Sequence, residues 1–152
     1  MQHRIRAAGI AVKDEHVLLV HHNLNQSRFW GPPGGGFEAQ DISTQGTVAR
    51  EFREETGLNV TVGPLIFVRE FSFSGSDTHH LELFYLIDTF AGEINRKHLA
   101  GKPDEQVILE VEWIHRTRLP ELKFYPNALC DLLWDKLTED TITPTYLGLE
   151  TS

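Results

Sequence analysis

Apolar and β-branched residues run through positions 5–12 and 17–21, and the polar tetrad Lys13, Asp14, Glu15 and His16 separates them, which predicts two strands joined by a hairpin turn. Residues 23–30 are polar and then aromatic. They lead into Gly31-Pro32-Pro33-Gly34-Gly35-Gly36, where missing donors and glycine's lack of preference predict a loop. Helical periodicity then takes over from Ser43 or Thr44, either of which suits an N-cap, to Thr56, with Gly57 just beyond as a C-cap. Residues 60–69, 81–90 and 107–114 read as strands from their β-branched and aromatic content. Leu129, Leu132, Leu133 and Leu137 recur at helical spacing within 125–137. The polar end, residues 138–152 with Pro144, is expected to be a poorly ordered tail or one packed on a partner.

Strands, helix, strands, helix is not the strict alternation of a parallel doubly wound sheet. The expected fold is an α/β/α sandwich with a mixed central sheet, one domain over residues 1–152. The length supports that reading, because 152 residues bury a core without help from disulfides or metal.

Charge narrows the partners. Fourteen Lys and Arg against 22 Asp and Glu leave a net charge of −8, which repels phosphate polymers and anionic membranes, so general nucleic-acid binding is not expected. Cys130 is the only cysteine, which rules out an intrachain disulfide and a thiolate-rich metal site and suits a reducing, cytoplasmic setting. No apolar run approaches the ~20 residues that span a bilayer, and the first residues contain no apolar signal core, so no membrane association is expected. A homodimer is compatible with a domain of this size, with the Trp134 region or the tail as its candidate interface.

The densest chemistry is Arg50-Glu51-Phe52-Arg53-Glu54-Glu55-Thr56-Gly57-Leu58. At about 100° per residue, Glu51, Glu54 and Glu55 fall within one arc about 100° wide, beside the apolar Val48 and Phe52. Three carboxylates so close repel one another unless a cation sits among them. With only oxygen donors on that face, the fitting ion is Mg²⁺ or Mn²⁺ rather than Zn²⁺. A Glu-rich face is also what a merely solvated helix shows. The glycine-rich segment a short distance upstream tips the balance, because backbone N–H groups near a metal are also near phosphate oxygens.

Gly35, Gly36, Phe37 and Glu38, followed by Arg50, Glu51, Phe52, Glu54, Glu55, Gly57 and Leu58, resemble the Nudix box of the Nudix hydrolases. Its pattern is Gly, five residues, Glu, seven residues, Arg-Glu-apolar-any-Glu-Glu-any-Gly-apolar. The second half fits at every specified position. In the first half, counting from Gly35 puts Asp41 in the Glu position, with eight residues instead of seven before Arg50. Counting back from Arg50 puts Gly36 in the Gly position and Ile42 in that of the Glu. Upstream, Trp30-Gly31-Pro32-Pro33-Gly34-Gly35 is similar to the family's approach to the box. Glu112-Trp113 and Leu119-Pro120-Glu121-Leu122 resemble its late strand and turn, so the likeness spans roughly residues 4–137.

The resemblance implies metal-dependent hydrolysis of a phosphoanhydride in a small-molecule nucleotide derivative, such as a nucleotide sugar, ADP-ribose or a dinucleoside polyphosphate. Two rivals stand beside it: a nucleotide-sensing domain of the same fold without catalysis, and an RNA-end pyrophosphohydrolase, which the net charge disfavours. Glu51, Glu54 and Glu55 are the expected metal ligands, and Arg50 is similar to the family arginine that orients them. Asp41 matches the loop acid only approximately and could equally be a helix-entry residue. A further carboxylate from a later loop, as ligand or general base, is expected at Glu105 in preference to Asp104, whereas strand alternation points Glu82 and Glu110 outward.

On the substrate side, Gly35 and Gly36 would approach phosphate, Trp30 or Phe29 would stack on a base, and Arg28, with Arg4, Arg6 and Arg69, would pair with phosphates. Core packing is the alternative for the aromatics. The pairs His21-His22 and His79-His80 lack metal-type spacing and are expected at the surface or facing substrate.

Overall fold

The computed structural model describes residues 1–24, 26–102 and 107–151. Among these residues, nine strands form two sheets. The first is five-stranded and mixed, in the order β5 (Gly34–Gly36), β1 (Gln2–Ile10), β7 (Thr78–Ala91), β6 (Asn59–Ser72), β9 (Thr145–Thr151). β1 runs parallel to β7 and β6 parallel to β9, while β1–β5 and β6–β7 are antiparallel. In the second sheet β3 (His16–Leu24) pairs with β2 (Val12–Lys13), β4 (Ser27–Gly31) and β8 (Ile108–His115), all antiparallel.

Helix α1 (Thr44–Thr56) starts where its caps dictate. The Ser43 side chain accepts from the Gly46 N–H, and Gly57 adopts φ +80° and closes the helix by donating to the Arg53 carbonyl. Its apolar stripe, Val48 and Phe52, packs with Ala7, Ala11, Leu18 and Leu58. On the other side, Ala8, Ile10, Ile66, Phe67 and Phe84 meet Leu119, Leu129, Leu133 and Trp134. The architecture is therefore the expected mixed α/β sandwich, with a thin third layer.

That layer is thin because the helix expected over 125–137 breaks up into a 3₁₀ turn at Asn127–Leu129 and α2 (Leu132–Lys136). Pro126 supplies no N–H, and Asp131 lies off helical geometry at φ −125°. Two further expectations are corrected. The segment 31–36 is not a loop throughout, since Gly31 ends β4 and Gly34–Gly36 form the edge strand β5, whose pairing asks only for backbone. The C-terminal tail contributes β9, an edge strand paired with β6.

The irregular spacing before Arg50 has a local solution. Residues Ala39–Asp41 make one 3₁₀ turn, and Ile42 follows with φ +67° and ψ −45°, the residue 90% exposed. The extra residue is thus extruded between Asp41 and the Ser43 cap, in a region where a β-branched side chain is strained by about 1–3 kcal/mol. Ile42→Gly removes that strain and exposes no buried surface. Allowing for glycine's looser unfolded state, it is expected to stabilise by about 1 kcal/mol and to raise the melting temperature by roughly 2–4 °C. A calorimetric scan showing a lower melting temperature would contradict this account of the spacing.

Candidate active site

Arg50 is the hub around which the acidic residues are arranged. Its Nε and Nη2 donate to the two Asp41 oxygens at 2.6 and 3.0 Å, a bidentate pair. Nη1 donates to Glu51 at 2.9 Å and Glu54 at 3.4 Å, and Nη2 also reaches the Gly36 carbonyl at 3.1 Å. One side chain therefore ties the turn before α1, two of the three helix carboxylates and the glycine strand together.

Asp41 is the acid the sequence left open, and the structure makes it the anchor. Its side chain is 1% exposed and accepts further bonds from the Thr47 hydroxyl and the Glu38 N–H, each at 2.9 Å. The Arg50 hydrogen bonds, with those from Glu38 and Thr47, outweigh burial and lower its pKa to about 2.

The glycine strand explains how the carboxylates come to lie so deep. The Gly34 N–H faces both Glu55 oxygens at 3.4 Å, and a Cβ on Gly35 would collide with the Glu51 carboxylate. Glu51 and Glu55 are accordingly buried, Glu55 to 2% exposure, whereas Glu54 stays at the rim. Glu54 has a second cation, with Lys102 Nζ at 2.9 Å. Lys102 comes within reach because its loop is pinned to the end of α1, where the Asn95 N–H donates to the Thr56 carbonyl at 2.8 Å.

The carboxylate face that needed a positive charge thus has two of the protein's own. The donor set, oxygen only, has the chemistry of a hard divalent ion's site. Among the described residues no three His, Cys, Asp or Glu side chains converge on one point, so a metal would have to exchange with these partners. Glu105, with Asp104, lies outside the described residues.

Of the expected substrate contacts, Gly35 and Gly36 stand beside Glu51 and Arg50. Trp30 is in the core, its ring stacked on His21 at 4.3 Å, and Arg28 is exposed on the β3–β4 hairpin. Glu82 corrects the alternation argument. It is buried and points inward, held by Arg6 Nε at 3.2 Å and Arg69 Nε at 2.8 Å. The two arginines hold its pKa below the ordinary carboxylate value even though burial alone would raise it. Its register with Arg6 on β1 and Arg69 on β6 joins residues far apart in sequence, and no local pattern signals it.

An acidic helix packed on a mixed sheet, with its arginine bonded to a glycine edge strand, is the arrangement expected of the Nudix class. The NUDIX domain model matches residues 3–130, and the chain belongs to that family. The NAD-capped RNA hydrolase NudC of Vibrio vulnificus is 30% identical over 108 residues, 71% of this chain and 37% of that protein. An ADP-ribose pyrophosphatase of Methanocaldococcus jannaschii is 28% identical over 116 residues, 76% of this chain and 64% of that one. The chain thus spans less than two thirds of either relative. The MutT NUDIX hydrolase structure from Burkholderia pseudomallei superposes with a TM-score of 0.69 at 24% identity, over 82% of this chain and 92% of that one, a likeness of fold. No helix among the described residues is long and apolar enough to cross a membrane.

Proposed function

We propose that this chain hydrolyses the pyrophosphate bond of a small nucleoside diphosphate derivative, with Mg²⁺ or Mn²⁺ bound by Glu51, Glu54 and Glu55. The observation that carries the reading is the Arg50 hub, which presents the acidic face of α1 against a strand without side chains. Glu51, Glu54 and Glu55 would hold the ion, which when bound would neutralise phosphate oxygens and lower the pKa of an attacking water. Arg50 keeps Glu51 and Glu54 oriented, and Asp41 keeps Arg50 in place. The Gly34 N–H faces Glu55, and Gly35 leaves the space that Glu51 occupies.

The test is phosphate release, coupled to a phosphatase, from ADP-ribose, nucleotide sugars, dinucleoside polyphosphates, nucleoside triphosphates and an NAD-capped RNA, with Mg²⁺, Mn²⁺ or chelator. Metal-dependent cleavage of a small derivative is the expected result. Folded protein that cleaves none of them would turn the reading toward a nucleotide-sensing domain. Cleavage of the capped RNA alone would turn it toward RNA ends, against the charge of −8.

Lys102 provides a separate check on the metal site. It competes for a carboxylate that metal would use, so Lys102→Gln is expected to tighten Mn²⁺ binding about two- to fivefold, a modest gain suited to an exposed ion pair. Manganese titration followed by electron paramagnetic resonance reads this without turnover. Unchanged or weaker binding would remove Glu54 from the ligand set or Lys102 from the competition.

A further inference from the structure

Helix α1 covers only part of the sheet face it packs on. Its apolar stripe lies with Ala7, Tyr85 and Ile87, and at its first residue the Thr44 hydroxyl meets that of Tyr85 at 2.7 Å. Beyond that point the same face of the first sheet continues without a helix over it. Strand register sets Ile5, Leu81, Glu70 and Leu149 in one row, and Phe37 extends it past β5 by donating its N–H to the Ile5 carbonyl at 2.9 Å. Leu83, Val68 and Tyr146 form the row on the helix side, and His3 and His79 lie in the row on the other. Phe37, Ile5, Leu81, Leu149 and Tyr146 are 37–60% exposed, and the half-buried Val68 and Leu83 pack into no core among the described residues.

The charge on this face restricts what can cover it. These three rows contain no lysine or arginine, so a nucleic acid or an anionic lipid surface would find no cation there. Their carboxylate, Glu70, has both oxygens engaged, one by His79 Nε2 at 2.8 Å and the other by the Tyr146 hydroxyl. It can therefore be covered without stranding a polar group. In a chain of net charge −8, a face this close to neutral is where two copies can approach with least repulsion.

Area and edge chemistry set the kind of contact. Five strands at about 4.8 Å and three rows at about 6.8 Å make a face of roughly 500 Å². Covered on both copies, that comes to about 1,000 Å², the lower end of specific interfaces, which suits a reversible dimer rather than an obligate one. The alternative, strand addition along the open edge of β9, is opposed by the register shift opposite Val68 and Glu70 and by Gly148 at φ +90°, since such a bulge twists an edge away from a new strand.

We propose that this bare face joins two copies of the chain, sheet against sheet, about a two-fold axis running along β7. That axis sets Leu81 against its own counterpart and lays the Phe37 end of each row over the Leu149 end of the other. Trp134 takes no part, being buried with the Arg116 guanidinium 4.7 Å above its ring. The Arg50 hub takes no part either, so the dimer stands or falls independently of the hydrolase reading.

The test is sedimentation velocity. The parent is expected to pass from monomer to dimer between about 1 and 200 µM, with a dissociation constant of roughly 10–100 µM. Leu81→Lys brings two ammonium groups together at the axis, and Leu149→Lys puts one at each end of the contact. Each is expected to raise the dissociation constant at least about tenfold with little change in melting temperature, and should Leu81→Lys fail to fold, Leu149→Lys on the edge strand carries the test. Leu24→Lys, exposed on β3 of the second sheet, is expected to leave the dimer unchanged. A parent that stays monomeric at about 200 µM overturns the proposal. So does a dimer that withstands the folded Lys variants of the first sheet, or one that Leu24→Lys dissolves equally well.

Discussion

Glu54→Gln is expected to lower kcat by about 10²–10³-fold while moving the melting temperature by no more than about 2–3 °C. Among the three helix carboxylates it is the one at the rim, with 19% of its side chain exposed, so losing its charge leaves no buried group stranded. Its two partners, Arg50 and Lys102, keep other contacts or solvent. The substitution preserves size and removes one unit of charge from the proposed metal site, so the loss should appear in kcat and in metal affinity together. Glu51 and Glu55 are poorer probes, because both are buried and their replacement confounds folding with chemistry. Parental activity with unchanged metal dependence would take Glu54 out of the site.

Asp41→Asn is expected to cost about 2–3 kcal/mol of stability, roughly 5–10 °C in melting temperature, and to lower activity at least about tenfold. A neutral amide offers Arg50 one acceptor where the carboxylate offers two, and it turns an NH₂ group toward the Thr47 hydroxyl, the Glu38 N–H or the guanidinium. Arg50 then loses the anchor that aims it at Glu51, Glu54 and Gly36.

The pH dependence carries a sign. Asp41 has a folded pKa of about 2, below its ordinary 3.8, so its contribution is fully present above about 3.8 and is lost as pH falls through about 2. Parent and Asp41→Asn should therefore differ most in stability above pH 4 and converge toward pH 2. Denaturation curves that stay equally far apart at both ends would show that the Asp41 charge is not what the fold uses.

What the chain's own pattern made legible is what depends on neighbours a few residues apart. Ser43 and Gly57 bound α1 as their capping chemistry requires, and Glu51, Glu54 and Glu55 share a face because a helix repeats every 3.6 residues. The β-branched and aromatic runs of β1, β3, β6, β7 and β8 were equally readable. Arg50 could be recognised as an orienting residue, but not Asp41 as its anchor, because the extra residue at Ile42 disturbs the count and only a turn in three dimensions absorbs it.

The tertiary structure decided everything that depends on pairing between distant segments. Gly34–Gly36 reads as a loop because glycine has no strand preference. β1 nevertheless takes it as an edge strand, and its missing side chains admit Glu51 on one face and Arg4 on the other. The polar tail becomes β9 because β6 offers it a parallel edge. Glu82 turns inward because register sets Arg6 and Arg69 beside it, and two guanidinium groups offset the burial that alternation alone counts against it. Helical period and capping are properties of a short window of sequence. Strand register is set by contacts between windows, so the acidic helix was visible from the sequence, and the glycine strand beside it only in the fold.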